Sequence, residues 1–115
     1  MKEDENPSSP FAPTPKPPYY AVIFTSVRNE GDQGYAQMAA RMVELAEKQE
    51  GLLGVESARE EIGITVSYWR DRESIERWKA DAEHRIAQKY GKEKWYAAYR
   101  IRIAKVEEEK RFEKK

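Results

Sequence analysis

The sequence predicts a single α+β domain of ferredoxin-like topology, β-α-β-β-α-β, with a four-stranded antiparallel sheet. Three observations lead there. Two stretches repeat apolar residues at three and four positions, as amphipathic helices do. Four others alternate or run apolar as strands do, in the order strand, helix, strand, strand, helix, strand. The 115 residues give room for one domain. All six prolines fall within the first 18 residues, so the remainder can hold elements that no proline interrupts.

The first strand is Tyr19 to Arg28, YYAVIFTSVR, rich in β-branched and aromatic residues and apolar on both alternating sides. Asn29-Glu30-Gly31-Asp32 is turn chemistry, and Asp32 is a candidate helix cap. The helix that follows carries Tyr35, Met38, Ala39, Met42, Val43 and Ala46 on one stripe and is expected to stop at Gly51. Leu52 to Glu60 and Ile62 to Arg70 are two short strands joined at Glu60-Glu61, the second alternating Ile62, Ile64, Val66, Tyr68 against Gly63, Thr65, Ser67, Trp69. Asp71 is a plausible cap for a second helix, Arg72 to about Tyr90, ended by Gly91. Trp95 to Val106 closes the pattern with Trp95, Ala97, Tyr99, Ile101 and Ile103 alternating against Tyr96, Ala98, Arg100, Arg102 and Ala104.

Outside these elements, residues 1–18 read as a flexible, Pro-rich arm with polyproline-II character, and residues 107–115 as a charged tail in which Phe112 is the one apolar residue. Residues 19–106 form the domain and hold all three Trp and all seven Tyr. Lys plus Arg and Asp plus Glu each number 21, a net charge of zero that argues against nucleic acid or an anionic membrane as the partner. With no cysteine, disulfides, thiolate nucleophiles and Cys-ligated metals are excluded; one histidine excludes a multi-histidine cage. No signal-like or membrane-spanning apolar run is visible, so a cytoplasmic location is expected.

Both helices should cover one side of the sheet. The first and last strands also present Tyr, Trp, Phe and Ile on the other side, which needs a partner; a homodimer with two sheets face to face is the simplest answer for so small a chain.

The most distinctive stretch runs from Tyr68-Trp69 through Ser74-Ile75-Glu76-Arg77-Trp78-Lys79 to His84, joining two indoles to the single imidazole. It could wall an apolar pocket with His84 as its titratable group. Trp78 itself reads first as a core residue, in the stripe of Ile75, Ala82 and Ile86, and one residue can be both core and pocket wall. In one straight helix His84 would point to water, half a turn from Ile75. It faces inward only if the helix breaks near Ala80-Asp81, with Asp81 capping a second piece in which His84, Ala87 and Gly91 share a side. Trp95-Tyr96 to Arg102 interleaves aromatics with arginines, but the neutral core and the missing RNA-binding aromatic signature weigh against stacking on nucleic acid. Carboxylate pairs such as Glu60-Glu61 lack an apolar setting and read as solvated faces.

Over residues 19–106 the chain resembles the antibiotic biosynthesis monooxygenase family of dimeric α+β-barrel proteins, through its element order, the Tyr68-Trp69 strand end, the Ser74 to Lys79 helix start, His84, and Trp95-Tyr96 before an alternating strand. The resemblance implies a pocket between helices and sheet and a monooxygenase that uses O2 on a small aromatic or quinone-like molecule without metal or flavin. Polar groups of the pocket then help form a substrate carbanion. By that resemblance Trp69, Trp78 and Tyr99 would line the pocket, and His84 would accept a proton or donate a hydrogen bond. Other relatives degrade haem with an Asn on strand 1, a Trp on helix 2 and a His ten residues beyond that Trp. Here Trp78 fits, but Gln88 stands ten residues on, His84 only six, and Tyr20 to Thr25 holds no Asn. The alternatives are a non-catalytic dimeric module that binds a small ligand, and a haem-binding relative with altered ligation.

Overall fold

Proline-free sequence from Tyr19 onward folds into the expected order of elements. The computed structural model describes residues 9–31 and 34–114, apart from the side chains of residues 82 and 83. Its elements are β1 (Tyr19–Arg28), α1 (Tyr35–Glu47), β2 (Leu52–Arg59), β3 (Gly63–Trp69), α2 (Arg72–Ala80), α3 (Ala82–Tyr90), a π-helical turn (Gly91–Trp95) and β4 (Tyr96–Val106). The sheet order is β2-β3-β1-β4, antiparallel throughout, which is the ferredoxin-like arrangement.

Strand ends shift by a residue, and the helix boundaries differ more from expectation. The single helix from Arg72 to Tyr90 is two helices: Asp81 takes an extended backbone (φ −60°, ψ 131°), and its carboxylate accepts the His84 N–H at 3.1 Å, restarting the chain as α3. Gly91 does not end that helix, because the chain winds on through the π-helical turn to Trp95. α1 ends at Glu47 with Lys48 as its cap; Gly51 lies in the next turn at φ 95°, against Ser74, where a Cβ would collide with the serine hydroxyl. At the other end of α1 the cap position is Gly34, and Asp32 lies outside the described residues.

Directly paired residues of antiparallel strands share a face. The register therefore puts Tyr20, Val22, Phe24 and Ser26 on the same side as Ser67 and Trp69 of β3 and Tyr99, Ile101 and Ile103 of β4. This is the helix side, since Trp69 stacks on Trp78 of α2 and Tyr35 of α1 meets Tyr96. A register shift between Val27 and Arg28 lets Tyr96 and Tyr99, three residues apart, both point to the helices. The opposite side carries Tyr19, Ala21, Ile23, Thr25 and Val27 of β1 with Ile64, Val66 and Tyr68 of β3. There the expectation for the last strand is corrected: its aromatics face the helices, and Arg100 and Arg102 occupy its other side.

One end of that open side is strapped by the two tails. The Ala12 N–H donates to the Glu56 carboxylate at 2.9 Å, the Tyr68 hydroxyl donates to the same carboxylate at 2.8 Å, and the hydroxyls of Thr14 and Tyr19 donate to Glu109. On the helix side, Ile75, Ala46 and Ala87 are buried, but Val22, Phe24, Met38, Met42 and Leu45 are only half-buried. These apolar side chains of β1 and α1 therefore keep part of their surface open to solvent.

Candidate functional site

Trp69 ends β3 completely buried, its indole N–H donating to Ser67 Oγ at 2.8 Å. The chain turns at once into α2 because Asp71 accepts the Ser74 N–H at 2.8 Å. The Ser74 hydroxyl and backbone N–H together hold the Asp71 carboxyl down at about 2, so the cap stays ionised. One turn into α2, Ile75 enters the core, and Trp78 follows at the next helical spacing to stack on Trp69, ring centroids 6.4 Å apart.

The break at Asp81 then folds His84 back over Trp78. The imidazole stacks on the indole at 4.3 Å with an interplanar angle of 13°, and Nδ1 lies 3.0 Å from the Trp78 carbonyl oxygen. A carbonyl only accepts, so this contact assigns the ring proton to Nδ1 and leaves the lone pair on Nε2. Burial lowers the pKa of His84, outweighing the Trp78 carbonyl and Asp81, which both raise it. The ring is thus a neutral base near pH 7, with Nε2 as the atom that can take a proton.

Of the four residues singled out in the sequence, the structure brings Trp69, Trp78 and His84 into one stacked ladder. Tyr99 stands elsewhere on the same side of the sheet. Trp69 pairs with Tyr20 and Tyr99 with Ser26, six positions further along β1 or roughly 20 Å at the rise of a strand. Tyr99 belongs to a second cluster with Phe24 at 5.3 Å and Tyr96 at 5.9 Å, which continues through Tyr35 to Trp95 and Tyr90.

Phe24, Tyr35 and Tyr96 were not singled out, and neither were the arginines beside them. The Arg28 guanidinium lies 3.5 Å from the centre of the Tyr35 ring, fixed by the carbonyls of Trp95 and Gly31 at 3.2 and 3.1 Å. Burial pushes the Tyr96 hydroxyl pKa up, the hydrogen bond with Tyr35 adds to this, and Arg59 and Arg28 pull against it. The interleaving of Tyr and Arg in β4 was the available signal, but the irregular register that aims Tyr96 inward is not written in alternation. An open cleft of about 500 Å³ lies beside this cluster, lined by Arg28, Asn29, Gly31, Arg59, Glu60 and Glu61.

The donor set does not suit haem. The one imidazole lies flat on Trp78 with Nδ1 tied to the α2 backbone, and Gln88 occupies the position ten residues beyond Trp78. Among the described residues no three His, Asp or Glu side chains converge as metal ligands. No helix among them is long and apolar enough to cross a membrane.

Comparison with known proteins bears on the fold and the family. The profile of the Antibiotic biosynthesis monooxygenase family matches residues 18–90. The chain is 51% identical over 102 residues to the uncharacterized protein YqjZ of Bacillus subtilis (strain 168), covering 87% of this chain and 90% of that one. SnoaB, a cofactor-independent oxygenase from Streptomyces nogalater, shares the fold with a TM-score of 0.69 at 10% identity, over 79% of this chain and 95% of its own. A conserved protein from Methanosarcina mazei Go1 superposes with a TM-score of 0.68 at 16% identity, over 76% of this chain and 91% of its own. The family profile spans more than half of the chain, from β1 to the end of α3 and including Trp69, Trp78 and His84, so the chain belongs to the antibiotic biosynthesis monooxygenase family.

Proposed function

We propose that this protein is a monooxygenase that acts with O2 on a small aromatic or quinone-like molecule held between helices and sheet, without a resident cofactor. The observation that carries the reading is His84: a half-buried, neutral imidazole with its lone pair on Nε2, stacked on an indole that is itself stacked on Trp69. An anthrone-type substrate has an acidic ring CH2. His84 Nε2 takes one of its protons; the resulting carbanion is electron-rich enough to reduce O2, and the carbon becomes a carbonyl while the second oxygen atom leaves as water. The balance is CH2 plus O2 giving C=O plus H2O, with four electrons moving from carbon to oxygen. The indoles of Trp69 and Trp78 provide an apolar, π-rich wall where a delocalised anion is less strongly hydrated.

The half-buried apolar lining of Val22, Phe24, Met38 and Met42 supports a ligand space of this kind, and SnoaB supports cofactor-independent oxygen chemistry on this fold. A second copy of the chain packed on the open side of the sheet would complete the assembly.

The test is oxygen uptake with anthrone. His84→Gln should lower kcat by about 100-fold or more, the usual contribution of a general base, with little change in KM. Oxygen uptake unchanged in the variant would remove His84 from the chemistry. Absence of uptake in the wild type, with anthrone still raising Tm, would make the protein a ligand-binding module in place of an enzyme.

A further inference from the structure

The helix side of the sheet carries a positioned cation that oxygen chemistry at His84 does not use. One row across the four strands reads Arg59 on β2, Gly63 on β3, Ser26 on β1 and Tyr99 on β4. Gly63 contributes no side chain to this row, and the Arg59 guanidinium lies in the space so left; a Cβ on Gly63 would collide with it. The guanidinium thereby crosses β3 and donates to Ser26 Oγ, on a residue only 2% exposed. Ser26 takes one of the five N–H donors of the fork. Among the described residues neither Arg59 nor Arg28 is in an ion pair with a carboxylate.

The neighbours are aromatic. Phe24 lies two residues before Ser26 on the same side, 5.3 Å from both Tyr96 and Tyr99, and Arg28 stands over Tyr35 at the next inward position. The cleft that Arg28 and Arg59 line opens to solvent past Glu60 and Glu61, both exposed on the β2–β3 turn. Two cations and two carboxylates make the cleft neutral as a whole, a poor match for a polyphosphate. Its selectivity is local: one planar guanidinium held against the sheet beside ring faces. That geometry suits a carboxylate, which takes two N–H groups of a guanidinium side by side, on a ring that can rest against other rings.

We propose that Arg59, seated across Gly63, anchors the carboxylate of an aromatic acid whose ring lies against Phe24, Tyr96 and Tyr99. The proposal rests on the reading that the space between helices and sheet takes a small aromatic molecule, and narrows that class to aromatic acids. It gives Gly63 a role of its own, as the gap that lets the cation lie flat.

The experiment titrates the full chain with 2-naphthoate and with its uncharged counterpart 2-naphthamide, following heat or tyrosine and tryptophan fluorescence. The wild type should bind the acid at least tenfold more tightly than the amide. Arg59→Gln should abolish that preference while leaving amide binding within about twofold. Gly63→Ala, which keeps the arginine but takes its seat, should abolish it as well, with Tm reporting whether the sheet stays folded. Arg102→Gln, on the opposite side of the sheet, should keep it. Equal binding of acid and amide by the wild type, or a preference that survives Arg59→Gln, overturns the anchor while the small-molecule reading stands. If neither compound binds, the anchor and the aromatic-pocket reading fall together, a result distinct from loss of oxygen uptake in His84→Gln.

Discussion

His84 shows how much one side chain's chemistry depends on where the backbone stops. Its ring stays neutral because it lies in a low-dielectric place, and it lies there because Asp81 ends one helix and starts another. This has a consequence for stability. The pKa is 6.5 in an exposed chain and lower in the folded one, so as pH falls through 6.5 the unfolded state takes up the proton first. The unfolded state then binds more protons, and stability falls with pH until the folded ring protonates too. Above that window the contribution of His84 is full and flat. We expect Tm to decline between pH 7 and pH 5, and His84→Gln to remove the histidine's share of the decline; parallel profiles for the two proteins would mean the imidazole is not held neutral. Asp71 acts in a separate window. Its carboxyl is depressed from 3.8 to about 2, so its support for the start of α2 is present above 3.8 and is lost only as pH falls towards 2.

Among the elements, the junction between α2 and α3 is the one on which the ladder depends. α2 buries Ser74 and Ile75 and carries Trp78; α3 buries Ala87 and carries His84. Removing the side chain that restarts the chain should loosen both. Asp81→Ala is expected to cost about 1 kcal/mol, the usual worth of an N-cap, and to change tryptophan fluorescence as His84 leaves Trp78. Asp81→Asn, a residue that caps equally well, should retain both the stability and the spectrum. Equal losses in the two variants, read from urea midpoints, would assign Asp81 to charge in place of capping. The register shift between Val27 and Arg28 is the corresponding device in the sheet. By letting one residue bulge it aims Tyr96 and Tyr99 to the same side, which strict alternation forbids for residues three apart.

At the scale of the molecule, the sheet is covered unequally. The helix side is roofed by three helices, while the open side is strapped at the Tyr19 and Tyr68 end by residues 12–14 and Glu109. At its far end Val27 and Ile64 remain 42% and 45% exposed, with Ile23 and Val66 half-buried beside them. We propose that a second copy of the chain covers this apolar surface. Light scattering behind size exclusion should give the mass of a homodimer, and Ile64→Lys should shift it to monomer; a wild-type monomer at the same concentration would remove the assembly.

The sequence by itself determined the order of elements, since alternation and helical spacing in a stretch without proline from Tyr19 onward leave few other foldings. It also determined the chemical inventory: one imidazole, no thiol, and ten Trp and Tyr side chains in a chain of zero net charge. The break at Asp81 was legible as a capping residue within a helical pattern, but the stacking of His84 on Trp78 that accompanies it is a contact made only in three dimensions. Tertiary structure alone decided that Tyr99 stands away from the ladder and that Arg59, Gly63 and Ser26 share a row. Those relations are set by strand register and one irregularity between residues distant in the chain, and a shift of one residue would send each side chain to the opposite side of the sheet.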